Sequence, residues 1–421
     1  MTVENLYALY CKTYKVSTDT RNIEKESLFF ALKGARFNGN KFAQEALEKG
    51  AGYAIIDEAD YATSEKTILV DDVLETLQNL ARYHRRKLGL PVIGLTGSNG
   101  KTTTKELIIR VLSKKYNIQA TQGNLNNHIG VPLTLLSVLP HHEMAVVEMG
   151  ANHQKEIEML CHTAEPDYGY ITNFGKAHLE GFGGIEGVIQ GKTELYQYLK
   201  ETHKKVLVNL DDPIQVEKSK GMNIYSFGKE KGDVIIKPID SPTAFIKVWY
   251  KELEIQTHLV GDYNYTNVAG AIALGNYFGI DKEKIKEAIE EYIPENNRSQ
   301  LIEKHGKQIL LDAYNANPSS MQAALENFSK SEGKKTVILG DMFELGEYAP
   351  EEHQKIVDSA LESKFDQIIV VGNHFHATEK EVLRFCTTHE VIDYLKSHTV
   401  NPKILIKGSR GMKLEIILDF L

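Results

Sequence analysis

An apolar strand that runs into a glycine-punctuated turn and then into a helix constrains this chain more than any other stretch. It reads Ile93-Gly94-Leu95-Thr96-Gly97-Ser98-Asn99-Gly100-Lys101-Thr102-Thr103-Thr104. Pro91 to Leu95 has the character of a buried strand, and Thr102 to Tyr116 is compatible with a helix. In such a unit the loop N–H groups point inward at a helix N-terminus. The helix dipole and a lysine ammonium add positive potential where a triphosphate would lie. Lys101 would reach the outer phosphates, and the Thr102 hydroxyl could ligate Mg²⁺. The spacing is shorter than the common G-x-x-x-x-G-K-[ST] pattern, because Leu95 stands where that pattern has its first glycine. A Gly-Lys-Thr turn alone also suits an ordinary surface loop. Its place between a strand and a helix favours a nucleotide, with Gly97, Ser98, Asn99, Gly100, Lys101, Thr102 and Thr103 as the candidate ATP-binding residues.

A length of 421 residues exceeds one ordinary core and predicts about three domains. With 42% hydrophobic and 25% charged residues, the composition is that of a globular protein without low-complexity tracts. No run reaches the roughly 18 apolar residues of a membrane span. Met1 to Tyr10 carries Glu4 and lacks a basic stretch followed by an apolar one, so a cytoplasmic location is expected. Cys11, Cys161 and Cys386 are too few and too scattered for a disulfide framework or a zinc site. A net charge of −8 argues against a nucleic-acid partner while leaving room for a local basic pocket. A monomer is the expected state.

The pattern along the chain is α/β throughout. Residues 1–88 read as a small N-terminal α/β domain, with strands at Ser27–Leu32 and Tyr53–Ile56, a helix at Phe42–Lys49 and a linker helix at Asp72–Leu88. Residues 89–296 alternate strands (Val92–Leu95, Ala145–Met149, Tyr168–Thr172, Val206–Leu210) with helices near Lys105–Tyr116, Gln154–Cys161 and Ile185–Lys200. That alternation predicts a central P-loop ATPase-like domain with a mostly parallel, doubly wound sheet. Val234 to Val260 is β-rich, and a helix over Asn264–Phe278 closes the unit. Residues 297–421 begin a second alternation, which predicts a C-terminal Rossmann-like domain. Its strands are Gln308–Leu311, Thr336–Leu339, Gln367–Val371 and Lys403–Ile406, and its helices lie near Ser319–Phe328, Pro350–Ser363 and His389–Ser397.

Other polar residues fall at the ends of these elements. Glu148 ends an apolar strand, where a Mg²⁺-binding acid beside the nucleotide loop would stand; a carboxylate facing water is the plainer alternative. His178 follows another strand on a polar loop, and its spacing leaves metal ligation and a structural role equally open. Lys192 lies on a helix that runs toward Tyr198, where a solvated lysine is the default. Gly123 to Pro132 is dense in amides, so Asn126 and Asn127 could bond a sugar, a phosphate or metal-bound water, or simply form a turn.

Together these elements closely resemble the Mur ligases of peptidoglycan synthesis. The P-loop, Asn126-Asn127-x-Gly-x-Pro, Glu148-Met149-Gly150-Ala151-Asn152-His153 and the Asn173-to-Lys192 segment carry the likeness. Asp312-Ala313-Tyr314-Asn315-Ala316-Asn317-Pro318-Ser319 is similar to the signature of the branch that joins D-alanyl-D-alanine to UDP-N-acetylmuramoyl-tripeptide. The Asp-Tyr-Ala-His-x-Pro and Asp-Asn-Pro-Arg elements of the branch adding the third amino acid are not found. Matches at Gly340–Gly346, Lys407–Met412, Ser17–Arg21 and Phe29–Gly34 extend the resemblance over nearly the whole chain.

The resemblance implies an ATP-dependent amide ligase that activates a carboxylate as an acyl phosphate. It implies Thr102 and Glu148 as ligands of one Mg²⁺, with His178 and an N6-carboxylated Lys192 at a second. Lys101, Lys192 and His178 are the implied catalytic residues. Asn264, Asn267, Arg298 and Asp312 are implied at the nucleotide. Ser17, Thr20 and Arg21, with the Gly34–Asn40 loop, are implied at the UDP end of the substrate, and Asn315 and Asn317 at D-alanyl-D-alanine or in ordering their own loop. Ligands at domain junctions also imply closure, with Arg298 and Asp312 far from Lys101 in an open form. A P-loop kinase or ATPase is the rival from another class, distinguished by phosphate release without an amine. A non-catalytic nucleotide-sugar binder is disfavoured by the presence of Lys101, Glu148, His178 and Lys192 together.

Overall fold

The computed structural model describes residues 1–240, 245–295 and 297–421. Three larger sheets organise these residues, beside a two-stranded hairpin of Lys33–Gly34 and Phe37–Asn38. The N-terminal sheet is parallel, in the order Val16–Ser17, Leu28–Phe30, Tyr53–Ile56, Thr67–Leu69. The helix Val73–Leu88 leaves it, capped by the Asp72 carboxylate on the Glu75 N–H and ended by Gly89 in the left-handed region. A helix that the sequence pattern does not predict, Val3–Tyr10, lies against it. The buried Tyr10 hydroxyl donates to the Leu136 carbonyl at 2.5 Å, and His84 Nε2 lies 2.7 Å from the Val138 carbonyl. These contacts fasten the first unit to the second.

The central sheet has nine strands, parallel except at one edge. Strand Val92–Thr96 lies between Met144–Glu148 and Tyr168–Ile171, with Leu95 beside Glu148 and Thr96 beside Ile171. Three parallel strands therefore end together, and the loops leaving their carboxyl ends share one crevice, the usual ligand position in open α/β sheets. The β-rich stretch supplies Val234–Ile239, Phe245–Tyr250 and Leu253–Val260, the last two antiparallel; residues 241–244 of that stretch lie outside the described residues. The apolar helix Tyr265–Tyr277 packs on the P-loop helix Lys101–Leu112 and buries Val268, Ile272 and Leu274.

The third sheet has six strands in the order Gln300–Lys304, Lys307–Asp312, Lys403–Lys407, Lys335–Gly340, Gln367–Val371, Leu383–Phe385. All pair in parallel but the first. The α/β class, the mostly parallel central sheet and the second α/β pattern are thus as predicted. The helix predicted at Ile185–Lys200 is observed at Ile185–Glu201 with Lys192 in its middle, whereas the P-loop helix spans Lys101–Leu112 rather than Lys105–Tyr116. Among the described residues no helix is long and apolar enough to cross a membrane.

Candidate active site

The carboxyl ends of the central and C-terminal sheets face one another across a cavity of about 900 Å³. On one side the P-loop is held open by its own backbone. Gly100 has φ +78°, and a Cβ there would meet the Asn267 amide oxygen at 2.3 Å, so only glycine fits. Asn173 pins the loop from the neighbouring strand, accepting from the Asn99 N–H at 3.0 Å and donating to the Asn99 carbonyl at 2.9 Å. Lys101 Nζ folds back on the Gly97 carbonyl at 2.7 Å. Burial depresses the Lys101 pKa and the Arg298 charge adds to this, while the Glu148 carboxylate works against both.

Glu148 is almost wholly buried. Its Oε1 accepts from Asn126 Nδ2 at 2.8 Å and from the Thr102 hydroxyl at 3.3 Å, whereas Oε2 has no hydrogen bond. A buried carboxylate oxygen left without a donor is costly unless a cation meets it; Lys105 Nζ stands 3.5 Å away as a charge but not as a hydrogen-bond donor, so Oε2 keeps its lone pairs for a ligand. Mg²⁺ suits this donor set, since it takes one or two protein oxygens and fills its remaining positions with phosphate and water. Among the described residues no group of three or more His, Cys, Asp or Glu gathers for a metal, so an all-protein cage is not what the site offers.

His178, in the left-handed region at φ 53°, also lines the cavity. Its Nδ1 lies 2.5 Å from Glu344 Oε2, a polar contact across the two units that is not aligned as a hydrogen bond. That contact holds the Glu344 carboxyl below its usual pKa. Lys192 does not line the cavity. It is fully buried behind Ala151, with Nζ 3.2 Å from the Ala151 carbonyl and 5.0 Å from the centre of the Phe182 ring. Desolvation and the Lys101 charge push its pKa well down. As an ammonium it does not fit a metal site.

The opposite wall comes from the C-terminal sheet. Asp312 and Lys407 end adjacent parallel strands and pair at 2.5 Å, with Ser299 N–H donating to the same carboxylate at 3.2 Å. The Arg298 guanidinium stacks 3.7 Å from the centre of the Tyr314 ring, with Arg410 on the same ring at 5.9 Å. Lys407, Arg410 and Tyr314 were not singled out from sequence. Their only signal lay in the Lys407–Met412 and Asp312–Ser319 elements. Arg298, Asp312 and Lys101 line one cavity here, so the separation expected of an open form is not what this structure shows.

Several expected contacts are already engaged within the protein. Asn267 donates to Asn264 at 2.7 Å and accepts from Thr104 at 3.0 Å, while Asn264 donates to the Val260 carbonyl at 2.8 Å. Both line the cavity, yet their amides chiefly buttress the P-loop. Asn127 accepts from the Ile129 and Gly130 N–H groups and so orders the turn that leads into Gly130–Leu136. Asn315 accepts from the Ala316 N–H, which orders its own loop. Asn317 caps Pro318–Ser329 in a reciprocal box with Ser320, and its Nδ2 donates to Asn99 of the P-loop at 2.6 Å. Asn317→Ala is expected to cost about 1–2 kcal/mol through the lost cap. Asn317→Asp keeps the cap acceptor but not the donor to Asn99. It should melt near the wild type and bind ADP more weakly, as thermal unfolding and calorimetry would register.

Ser17, Thr20 and Arg21 are not brought to this cavity. Arg21 is exposed and forms a fork with Asp19, holding that carboxyl down to about 2, while Ser17 donates to the Asp19 carbonyl at 3.0 Å.

Comparison with known proteins agrees with this geometry. Residues 12–85 match the Mur ligase family catalytic domain, 95–275 the Mur ligase middle domain, and 297–410 the Mur ligase glutamate ligase domain. The chain is 36% identical over 420 residues to the UDP-N-acetylmuramoyl-tripeptide–D-alanyl-D-alanine ligase of Bacillus subtilis, covering 96% of this chain and 92% of that protein. It is also similar to the crystal structure of MurF from Acinetobacter baumannii (TM-score 0.87, 32% identity, 96% of this chain and 92% of that one). The structure of MurF ligase from Thermotoga maritima in complex with ADP aligns with TM-score 0.86 at 27% identity, over 96% of each chain. Family models thus match all three units, a full-length relative is more than 30% identical, and the chain belongs to the Mur ligase family.

Proposed function

We propose that this chain is an ATP-dependent ligase that adds D-alanyl-D-alanine to UDP-N-acetylmuramoyl-tripeptide, giving the pentapeptide precursor of peptidoglycan. The observation that carries this reading is the single cavity in which the P-loop and Glu148 face Arg298, Asp312 and Lys407. A triphosphate on the P-loop would lie between basic side chains of two units. The tripeptide carboxylate attacks the γ-phosphorus, ADP leaves, and an acyl phosphate forms. The amine of D-alanyl-D-alanine then attacks the carbonyl carbon, the amide bond forms, and phosphate departs with the amine's proton passing to solvent or a nearby base.

Both partners of the first step are anions, so positioning and charge neutralisation dominate its catalysis. Lys101 and the loop N–H groups stabilise the transferred phosphoryl group. Thr102 and Glu148 would hold one Mg²⁺, with His178 and the carbamate of Lys192 near a second. The metal, when bound, supplies positive charge to the phosphate oxygens. Lys192 fits that role only after its neutral amine adds carbon dioxide and loses a proton, which exchanges a repelled cation for an anionic ligand.

Arg298 binds phosphate oxygens with its fork. Asp312, oriented by Lys407, accepts from the ribose, and Asn264 and Asn267 keep the loop in register. Residues 1–88 form the UDP-binding unit through Ser17, Thr20 and Arg21; 89–296 form the ATP unit, whose last residue Asn296 lies outside the described residues; and 297–421 form the acceptor unit. Phosphate release measured with UDP-N-acetylmuramoyl-tripeptide should rise at least about tenfold with D-alanyl-D-alanine over L-lysine or no amine, the low end of what substrate-pocket contacts discriminate. Equal release in all three conditions removes the proposal.

A further inference from the structure

One buried charge beside the site has no place in that mechanism. Lys105 lies one helical turn beyond Lys101, is 3% exposed, and points its ammonium at Glu148 Oε2 from 3.5 Å. Glu148 is itself 2% exposed and lines the cavity, whereas Lys105 does not, so the lysine stands behind the carboxylate. Oε2 is the oxygen without a hydrogen bond, because Asn126 and Thr102 both donate to Oε1. A fixed cation and a buried carboxylate therefore neutralise one another before any ligand arrives. Lys101, at the start of the same helix with its ammonium on the Gly97 carbonyl, is a second lysine whose charge Glu148 feels.

We infer that Lys105 is a charge-balancing and positioning residue that makes divalent-metal binding at Glu148 conditional on the nucleotide. A free divalent ion approaching Glu148 meets a carboxylate already compensated, with two ammonium groups close by. Inside a low-dielectric site that repulsion is worth far more than in water. A metal carried by a polyphosphate brings its own negative charge, and the same lysines then attract the complex. Lys105 also fixes the Oε2 side of the carboxylate, leaving one orientation for it.

The inference rests on the reading of Glu148 as a metal ligand, and the experiment separates the two. Mn²⁺ binding is measured by electron paramagnetic resonance with and without ADP, for the wild type, Lys105→Met, Lys105→Arg and Glu148→Gln. In Lys105→Met, where Asn126 and Thr102 still hold the carboxylate, free Mn²⁺ should bind at least about tenfold tighter, and the gain on adding ADP should shrink. Lys105→Arg should follow the wild type. Free Mn²⁺ affinity that is unchanged or lower in Lys105→Met overturns the role of Lys105. If Glu148→Gln leaves ADP-dependent Mn²⁺ binding intact, the metal reading of Glu148 fails and takes this inference with it. Should Lys105→Met not fold, Lys105→Gln, neutral and polar, carries the same comparison.

Discussion

Lys192→Ala should lose about 10³-fold in turnover and regain part of it when a short carboxylic acid is added, the scale expected when a group organising transferred charge is removed. The expectation follows from burial. The side chain is fully enclosed, its nitrogen meets one backbone carbonyl and an aromatic face, and its pKa is driven well down by desolvation and by Lys101. A neutral amine in that position is a nucleophile for carbon dioxide. Deleting the stem also leaves a cavity that costs about 2–3 kcal/mol, so thermal unfolding must be followed in parallel. Lys192→Met fills the volume without the nitrogen and should remain folded and inactive. The wild type should show the mass of one added carbon dioxide under native conditions and a carbamate resonance after labelling with isotopic bicarbonate. A Lys192→Met enzyme with wild-type turnover would mean that the residue serves packing alone.

The half of the site built on local order was legible in the sequence. A strand, a glycine turn and a helix are contiguous, so local pattern alone marks the P-loop and the Glu148 strand end. The helix Val73–Leu88 was equally plain, because Asp72 and Gly89 mark its ends. What escaped depended on long-range register. Asp312 meets Lys407 only because their strands pair in parallel, and no local pattern states which strands are neighbours. Lys105 carried no signal of its own, since only its pairing with Glu148 shows which face of the helix is buried. The helix Gly130–Leu136 was hidden by Gly130 and Pro132, which look like turn residues although proline is tolerated in a first helical turn. The roles of Asn264, Asn267 and Asn317 were blurred for a related reason. An amide that suits a ligand suits a cap equally well, and only the observed partners distinguish them.

Lys101→Met should reduce kcat/KM by about 10²–10³, equivalent to about 3–4 kcal/mol of transition-state stabilisation, while leaving the fold intact. The resting lysine donates to the Gly97 carbonyl within its own loop, so its charge is held at the cavity wall. Its fall in pKa comes first from burial; Glu148 offsets part of that fall, and Arg298 deepens it. Phosphoryl transfer places negative charge between these groups, and a polyphosphate neighbour favours the ammonium form. Methionine keeps the aliphatic stem that packs on the loop, so unfolding temperature should move little and the deficit should lie in chemistry. Arginine should not restore the rate, because its planar fork is bulkier than the ammonium and is not held by the same two loop carbonyls. Initial rates of phosphate release at saturating substrates, set beside ADP affinity, divide the loss between turnover and binding. A Lys101→Met enzyme within tenfold of the wild type would move the phosphoryl-stabilising role to the basic side chains of the opposite wall, Arg298 first among them.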